Sequence, residues 1–182
     1  MSYHIYTTKG LILSERPTRE ADRIYTIMTR DLGLVRAMAI GVRKEASKLR
    51  GNIEPFSLAL VSFVKGKNSW RLTSAEFIKQ ISSIPAIARP LLLLEKLVQG
   101  EAPHPELFDA VEDAILFYPD LSRALSREHG RGALEPHDEM FEINVVSKIL
   151  FHLGYLKESD MALGKKLLIK AINDGLQNSH LI

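Results

Sequence analysis

The 182-residue chain is 46% apolar, enough to bury one large core or two small ones and too much for wholesale disorder. It has no cysteine, which excludes a disulfide framework, a thiolate zinc site and a cysteine nucleophile. Its net charge of +2 hides a contrast: residues 1–80 hold fourteen Lys and Arg against seven Asp and Glu, and residues 81–182 hold ten against fifteen, giving +7 and −5. A basic half joined to an acidic half points to a polyanion partner on one side. The most apolar window, "IPAIARPLLLLEKLV", is broken by Arg89, two prolines and Glu95, so no membrane-spanning helix is expected. The opening "MSYHIYTTKG" has no basic stretch leading into an apolar run, so the expectation is a soluble, cytoplasmic protein without an export signal.

Up to residue 80 the pattern predicts five strands. "YHIYTTKGLILS" (3–14) is rich in β-branched and aromatic residues, and "DRIYTIMTR" (22–30) alternates Ile24, Thr26 and Met28 with Tyr25, Ile27 and Thr29. "GLVRAMAIGVR" (33–43) follows a tight "RDLG" turn. "PFSLALVSFVKG" (55–66) and "SWRLTSAEFIK" (69–79) flank "KGKN", a hairpin signal. Between the third and fourth strands, "KEASKLRGN" is polar and long enough for one helical turn.

Beyond residue 80 the periodicity is helical. "IARPLLLLEKLVQG" ends at Gly100 as a C-cap, and "APHP" separates it from "PELFDAVEDAILFY". "PDLSRALSRE" predicts a short helix and "GRGALEP" a loop. "HDEMFEINVVSKILFHLGYL" carries a stripe of Phe141, Val145, Ile149 and His152 and ends at Gly154. A last helix, "ESDMALGKKLLIKAIND", is expected to start with Ser159 as its N-cap. The predicted class is α+β, with a small five-stranded β-barrel over 1–80 followed by an α-helical domain over 81–182.

A five-stranded barrel with a helical insertion between strands three and four is the OB-fold layout, which binds single strands through one sheet face and two loops. Here those loops are "SERPTREAD", with Arg16 and Arg19, and "KGKN", with Lys65 and Lys67. SH3-like barrels share the strand count, so the pattern leaves that choice open. The connector places Arg43, Lys44, Lys48 and Arg50 within eight positions, opposed only by Glu45. With Arg36, Arg71 and the nearby aromatics Tyr25, Phe63 and Trp70, these supply cations for phosphates and π faces for bases. Phe56 and Phe63 read as barrel core, whereas Trp70, following a turn, is expected to be partly exposed.

Catalytic patterns are not found: there is no phosphate-cradling glycine loop, no GxSxG elbow and no distinctive carboxylate pair, so an enzyme is not expected. "HGRGALEPHDE" gathers His129, His137, Asp138 and Glu139 without metal-binding spacing, and His152 reads as a core histidine.

The block from Gly10 to Glu76 closely resembles the N-terminal domain of the RecO family of bacterial recombination mediators. The resemblance rests on "EAD" before the second strand, "TRD-x-G" at the next turn, "GVRK" then "SKLR", and "WRLTSAE". "FEINVVSKILFHLGYL" is similar, more weakly, to the family's C-terminal helix. The resemblance implies an OB-fold plus helical domain, nucleoid-associated, that binds single- and double-stranded DNA, anneals complementary strands and, with RecR, helps load RecA on DNA coated by single-stranded DNA-binding protein. The acidic tail of that last protein would dock on the helical domain, for which Phe141, Val145 and Lys148 are the residues expected here. The four-cysteine zinc module of many members has no counterpart, so no cofactor is expected. Asp138, Glu139 and Met140 stand where some members are basic. The alternative reading is an OB-type adaptor that docks a protein and not DNA.

Overall fold

A computed structural model describes residues 4–67, 69–81, 85–117 and 136–179, without the side chains of 117 and 136–138. The predicted helix at 119–128 and the side chains of His129, His137 and Asp138 lie outside the described residues. The chain divides into two compact units: residues 1–81 together with 98–105, and residues 82–97 together with 106–182.

In the first unit, β1 (Ile5–Pro17), β2 (Arg23–Thr29), β3 (Gly33–Ala39), β4 (Ser57–Lys65) and β5 (Trp70–Gln80) fall within a few residues of the predicted strands. They close in the order β1-β2-β3-β5-β4. All neighbours run antiparallel except β3 and β5, which meet in parallel through Ala37 opposite Trp70 and Met38 opposite Arg71. The long β1 makes closure possible: its first half pairs with β4 and its second with β2. Strand alternation then fills the interior with Ile12, Tyr25, Ile27, Val35, Ala37, Val61, Phe63 and Leu72.

Two features of this unit position the site. A bulge between Ile12 and Ser14 shifts the register of β1. Ile12 faces the core with Ile27, but beyond the bulge Ser14 and Arg16 take the outer face, opposite Thr26 and Ile24. The extra residue re-aims Arg16 outward. The second feature is the segment 98–105, which lies against the turn between β2 and β3. The Gly100 carbonyl accepts from the Leu34 N–H at 3.1 Å. Gly33 has φ +73°, and a Cβ there would stand 2.2 Å from the Ala102 carbonyl oxygen, so only glycine fits the approach.

The connector 40–56 forms no helix. Its turns chain together: Lys44 N–H donates to the Gly41 carbonyl, Ser47 to Lys44, and Arg50 to Ser47, at 3.0–3.2 Å. Val42, Leu49 and Ile53 anchor it in the barrel core, leaving the cations outside.

The second unit contains α1 (Pro85–Leu97), α2 (Pro105–Phe117, from Glu106 on), α3 (Pro136–His152), α4 (Glu158–Met161) and α5 (Lys165–Asn178). α3 packs against α1 and α5. It ends at Gly154 (φ +80°), where Tyr155 N–H turns back to the Leu150 carbonyl at 2.8 Å. The predicted single last helix is two helices. Lys157, not Ser159, caps α4, its N–H donating to the Asp160 carboxylate at 2.9 Å. Gly164, in extended conformation, breaks the run and caps α5. Among the described residues no helix is long and apolar enough to cross a membrane.

Candidate nucleic-acid interface

The "EAD" and "GVRK" motifs are two sides of one joint. Asp22 is 7% exposed, and its Oδ1 accepts from the Gly41 N–H at 2.7 Å. The Ala21 carbonyl accepts from the Arg43 N–H at 3.2 Å, and the Glu20 carbonyl accepts from Arg43 Nη1 at 3.0 Å. Arg19 is a loose 3.9 Å from the other Asp22 oxygen. The acid thus serves mainly the backbone and binds the β1–β2 loop to the connector. Lys44, Lys48 and Arg50 are exposed and face no carboxylate at ion-pair distance among the described residues.

Beside this joint the pairing registers define a cationic sheet face. One row across four strands reads Arg16, Ile24, Met38, Arg71, and the next reads Ser14, Thr26, Arg36. Arg16, Arg36 and Arg71 are exposed, and Ile24 and Met38 are half-buried between them. With strands ~4.8 Å apart, Arg16 and Arg71 are separated by about 14 Å of sheet, and Arg36 lies ~7 Å along the strand from Met38. Ile24 and Met38 were not among the residues expected from sequence; their parity, opposite to Tyr25 and Ala37, is the signal for them.

Phe63 lies in the core as expected, at 0% exposure, but Tyr25 and Trp70 are buried too, at 2% and 5%, which corrects the expectation that they offer π faces to bases. Trp70 shares its parity with Leu72 and faces inward, edge-on to Phe63 and Tyr6. Its Nε1 donates to Glu101 Oε1 at 2.8 Å. The other Glu101 oxygen accepts from Lys65 Nζ at 2.7 Å, and that ammonium lies 4.8 Å from the Trp70 ring centroid. The two hydrogen bonds, first from Lys65 and then from Trp70, hold the Glu101 carboxyl below its ordinary range. Of the two cations expected in this loop, Lys65 is therefore neutralised by segment 98–105, while Lys67 is exposed. The two cationic loops also lie beside opposite ends of β1, since Ile5 pairs with Val64 and Pro17 with Arg23. Only the β1–β2 loop joins the connector.

On α3, Val145 is 2% exposed and faces the interior of the helical unit, with Phe141 and Lys148 half-buried on the same side. An apolar groove of about 310 Å³ lies on the other side of this helix, against Glu142, Ile143 and Val146, with α1 and α5 supplying Leu93, Ile169 and Ile172. Its lining Arg89 is paired with Glu142 at 3.6 Å, and its lining Glu139 with Lys165 at 2.8 Å. Glu139, a candidate metal ligand by sequence, is thus an ion-pair partner.

Residues 1–81 match the family described as "Recombination protein O N terminal". The match covers the first 81 of the 182 residues, the stretch that holds all five strands. Proteins named DNA repair protein RecO are 38% identical over 97 residues in a Synechococcus species, 31% over 140 residues in Gloeothece citriformis and 38% over 87 residues in Bifidobacterium adolescentis. These alignments cover 50, 66 and 48% of this chain and 34, 48 and 33% of those proteins. The chain thus spans about half or less of the relatives it matches.

Proposed function

We propose that the first unit is an OB-fold nucleic-acid-binding domain and that the chain serves DNA repair and homologous recombination as a non-enzymatic mediator. In this reading it binds single- and double-stranded DNA, anneals complementary strands and, with RecR, helps load RecA on DNA coated by single-stranded DNA-binding protein. The strand order and the parallel β3–β5 contact support the fold, and the names of the relatives support the process. The observation that carries DNA binding is the Asp22 joint, which gathers two cationic segments at one end of the barrel and leaves Lys44, Lys48 and Arg50 without carboxylate partners among the described residues.

Phosphates along a strand would follow Arg16, Arg36 and Arg71 across the sheet and continue onto the connector, with counterion release as the driving term. With no aromatic ring in the two rows, the contacts made by these rows are expected to be insensitive to base sequence. For the acidic tail, the reading moves to the groove beside Ile143 and Val146, where Arg89 and Lys165 would exchange their Glu partners for the tail's carboxylates.

Fluorescence anisotropy of a labelled oligonucleotide between about 50 and 200 mM salt tests the DNA reading. The expected result is a linear loss of log affinity with log salt, steep enough for several phosphate contacts. Absence of oligonucleotide binding at low salt would sink it and favour the protein-docking adaptor.

A further inference from the structure

The cations just described lie around a cavity that phosphate contacts alone do not explain. The mouth of the barrel, between the ends of β1 and β2 and the connector, forms an open hollow of about 460 Å³. That is within the ~300–1,000 Å³ range of small-molecule sites, and barrel mouths are a recurrent place for them. Its composition is mixed. Tyr25, Val42 and Ile53 form an apolar floor, all under 5% exposed, while Arg43, Arg50 and Glu54 stand exposed at the rim. Neither the Arg50 guanidinium nor the Glu54 carboxylate has a hydrogen-bond or ion-pair partner among the described residues, although the backbone of each is bonded, to Ser47 and from Ser57. On the β wall Arg23 is paired with Glu15, yet its Nε is buried and has no partner among the described residues. Beyond the Arg23–Glu15 pair and the bond from Arg43 to the Glu20 carbonyl, the polar side chains of the mouth do not satisfy one another among the described residues.

A ligand suited to this lining has an anionic end for guanidinium groups, a flat apolar body and an N–H donor for a carboxylate. We propose that the mouth of the barrel seats a single nucleoside 5′-monophosphate. Its phosphate lies on Arg43 and Arg50, its base against Val42, Ile53 and the edge of Tyr25, and an exocyclic amine donates to Glu54. Arginine suits the phosphate because its fork of donors matches phosphate oxygens, and a carboxylate accepts from the cytosine amine, which thymine lacks. The inference rests on the DNA reading when the nucleotide belongs to a bound strand, and a free nucleotide would present the same chemistry. The connector then serves both outward phosphates and one inserted residue.

The test is calorimetric titration of the full chain with dCMP, deoxycytidine, inorganic phosphate and dTMP. The mouth predicts that dCMP binds at least about tenfold tighter than deoxycytidine or phosphate alone. Arg50→Gln should weaken dCMP about tenfold, and Glu54→Gln should remove its advantage over dTMP. Both side chains are exposed, so unchanged circular dichroism is expected for each variant. The proposal is overturned if dCMP binds no tighter than phosphate, or if both variants leave its affinity and selectivity unchanged. Oligonucleotide binding separates the sources. If dCMP competes with the oligonucleotide, a strand residue uses the mouth. If dCMP binds but the oligonucleotide does not, the site belongs to free nucleotides and the DNA reading falls. Oligonucleotide binding without dCMP binding or competition rejects the mouth and leaves that reading standing.

Discussion

Each end of the barrel is organised by one carboxylate, with opposite effects on the neighbouring cations. At the β1–β2 end, Asp22 is buried and its main hydrogen bond is from a backbone N–H, so it holds the connector without pairing with Lys44, Lys48 or Arg50. At the β4–β5 end, Glu101 arrives from the distant segment 98–105, lies half-exposed and takes Lys65 directly. Counting cations per loop gives two and two. What decides their availability is the partner each nearby acid finds, backbone in one case and ammonium in the other.

The largest effect should separate the ends outright. Reversing Arg43, Lys44, Lys48 and Arg50 to Glu is expected to reduce oligonucleotide affinity more than about a hundredfold with circular dichroism unchanged. Lys65→Glu with Lys67→Glu should cost under about fivefold in the same assay, because Lys65 is already neutralised. Equal losses would erase the contrast.

Asp22→Ala should lower stability by about 2–3 kcal/mol in urea unfolding, since the Gly41 N–H loses a charged, buried acceptor. It should also weaken DNA binding by releasing the connector, although the substitution removes a negative charge. Tighter binding in a folded variant would show that Asp22 acts only as a charge.

Glu101→Ala is expected to cost about 1–2 kcal/mol, because it strands the buried Trp70 Nε1–H. Its folded-state acidity is raised, meaning a depressed pKa, so its contribution is full above the ordinary value of 4.5 and is lost as pH falls through the folded value. Thermal melts from neutral pH to acid should therefore converge for the wild type and Glu101→Gln, and parallel curves would remove the titration from the account. The smallest effects are single changes on the sheet face: Arg16→Gln, Arg36→Gln and Arg71→Gln should each lower the salt slope by about one unit. An unchanged slope for all three would confine binding to the connector.

Much of this was legible in order and composition. Strand alternation and the "KGKN" turn placed the five strands within a few residues, because those signals act over two to four positions. The connector cations were equally plain, with anchoring Leu49 between them. The role of Trp70 was also available, since "WRL" places it on the face of Leu72, yet its position after a turn suggested exposure. What sequence alone could not show is contact at a distance. Glu101 sits 31 residues from Trp70 and 36 from Lys65, within "VQGEAPHP", which reads only as an interhelical turn. The β1 bulge was hidden too, because one extra residue in an apolar run changes no local pattern. The break at Gly164 leaves no local signal, because the flanking residues continue a helical period.

Segment 98–105 has a consequence for how the protein folds as it is made. When residue 81 has been synthesised, all five strands exist, but Trp70 still lacks its acceptor and Lys65 its counter-charge. The twenty-four residues from 82 to 105 must follow, taking roughly 1–5 s at ribosomal rates. During that interval α1 is already available while the barrel awaits its clasp. The two units are therefore interleaved in time as well as along the chain, and the barrel is finished only after the helical unit has begun.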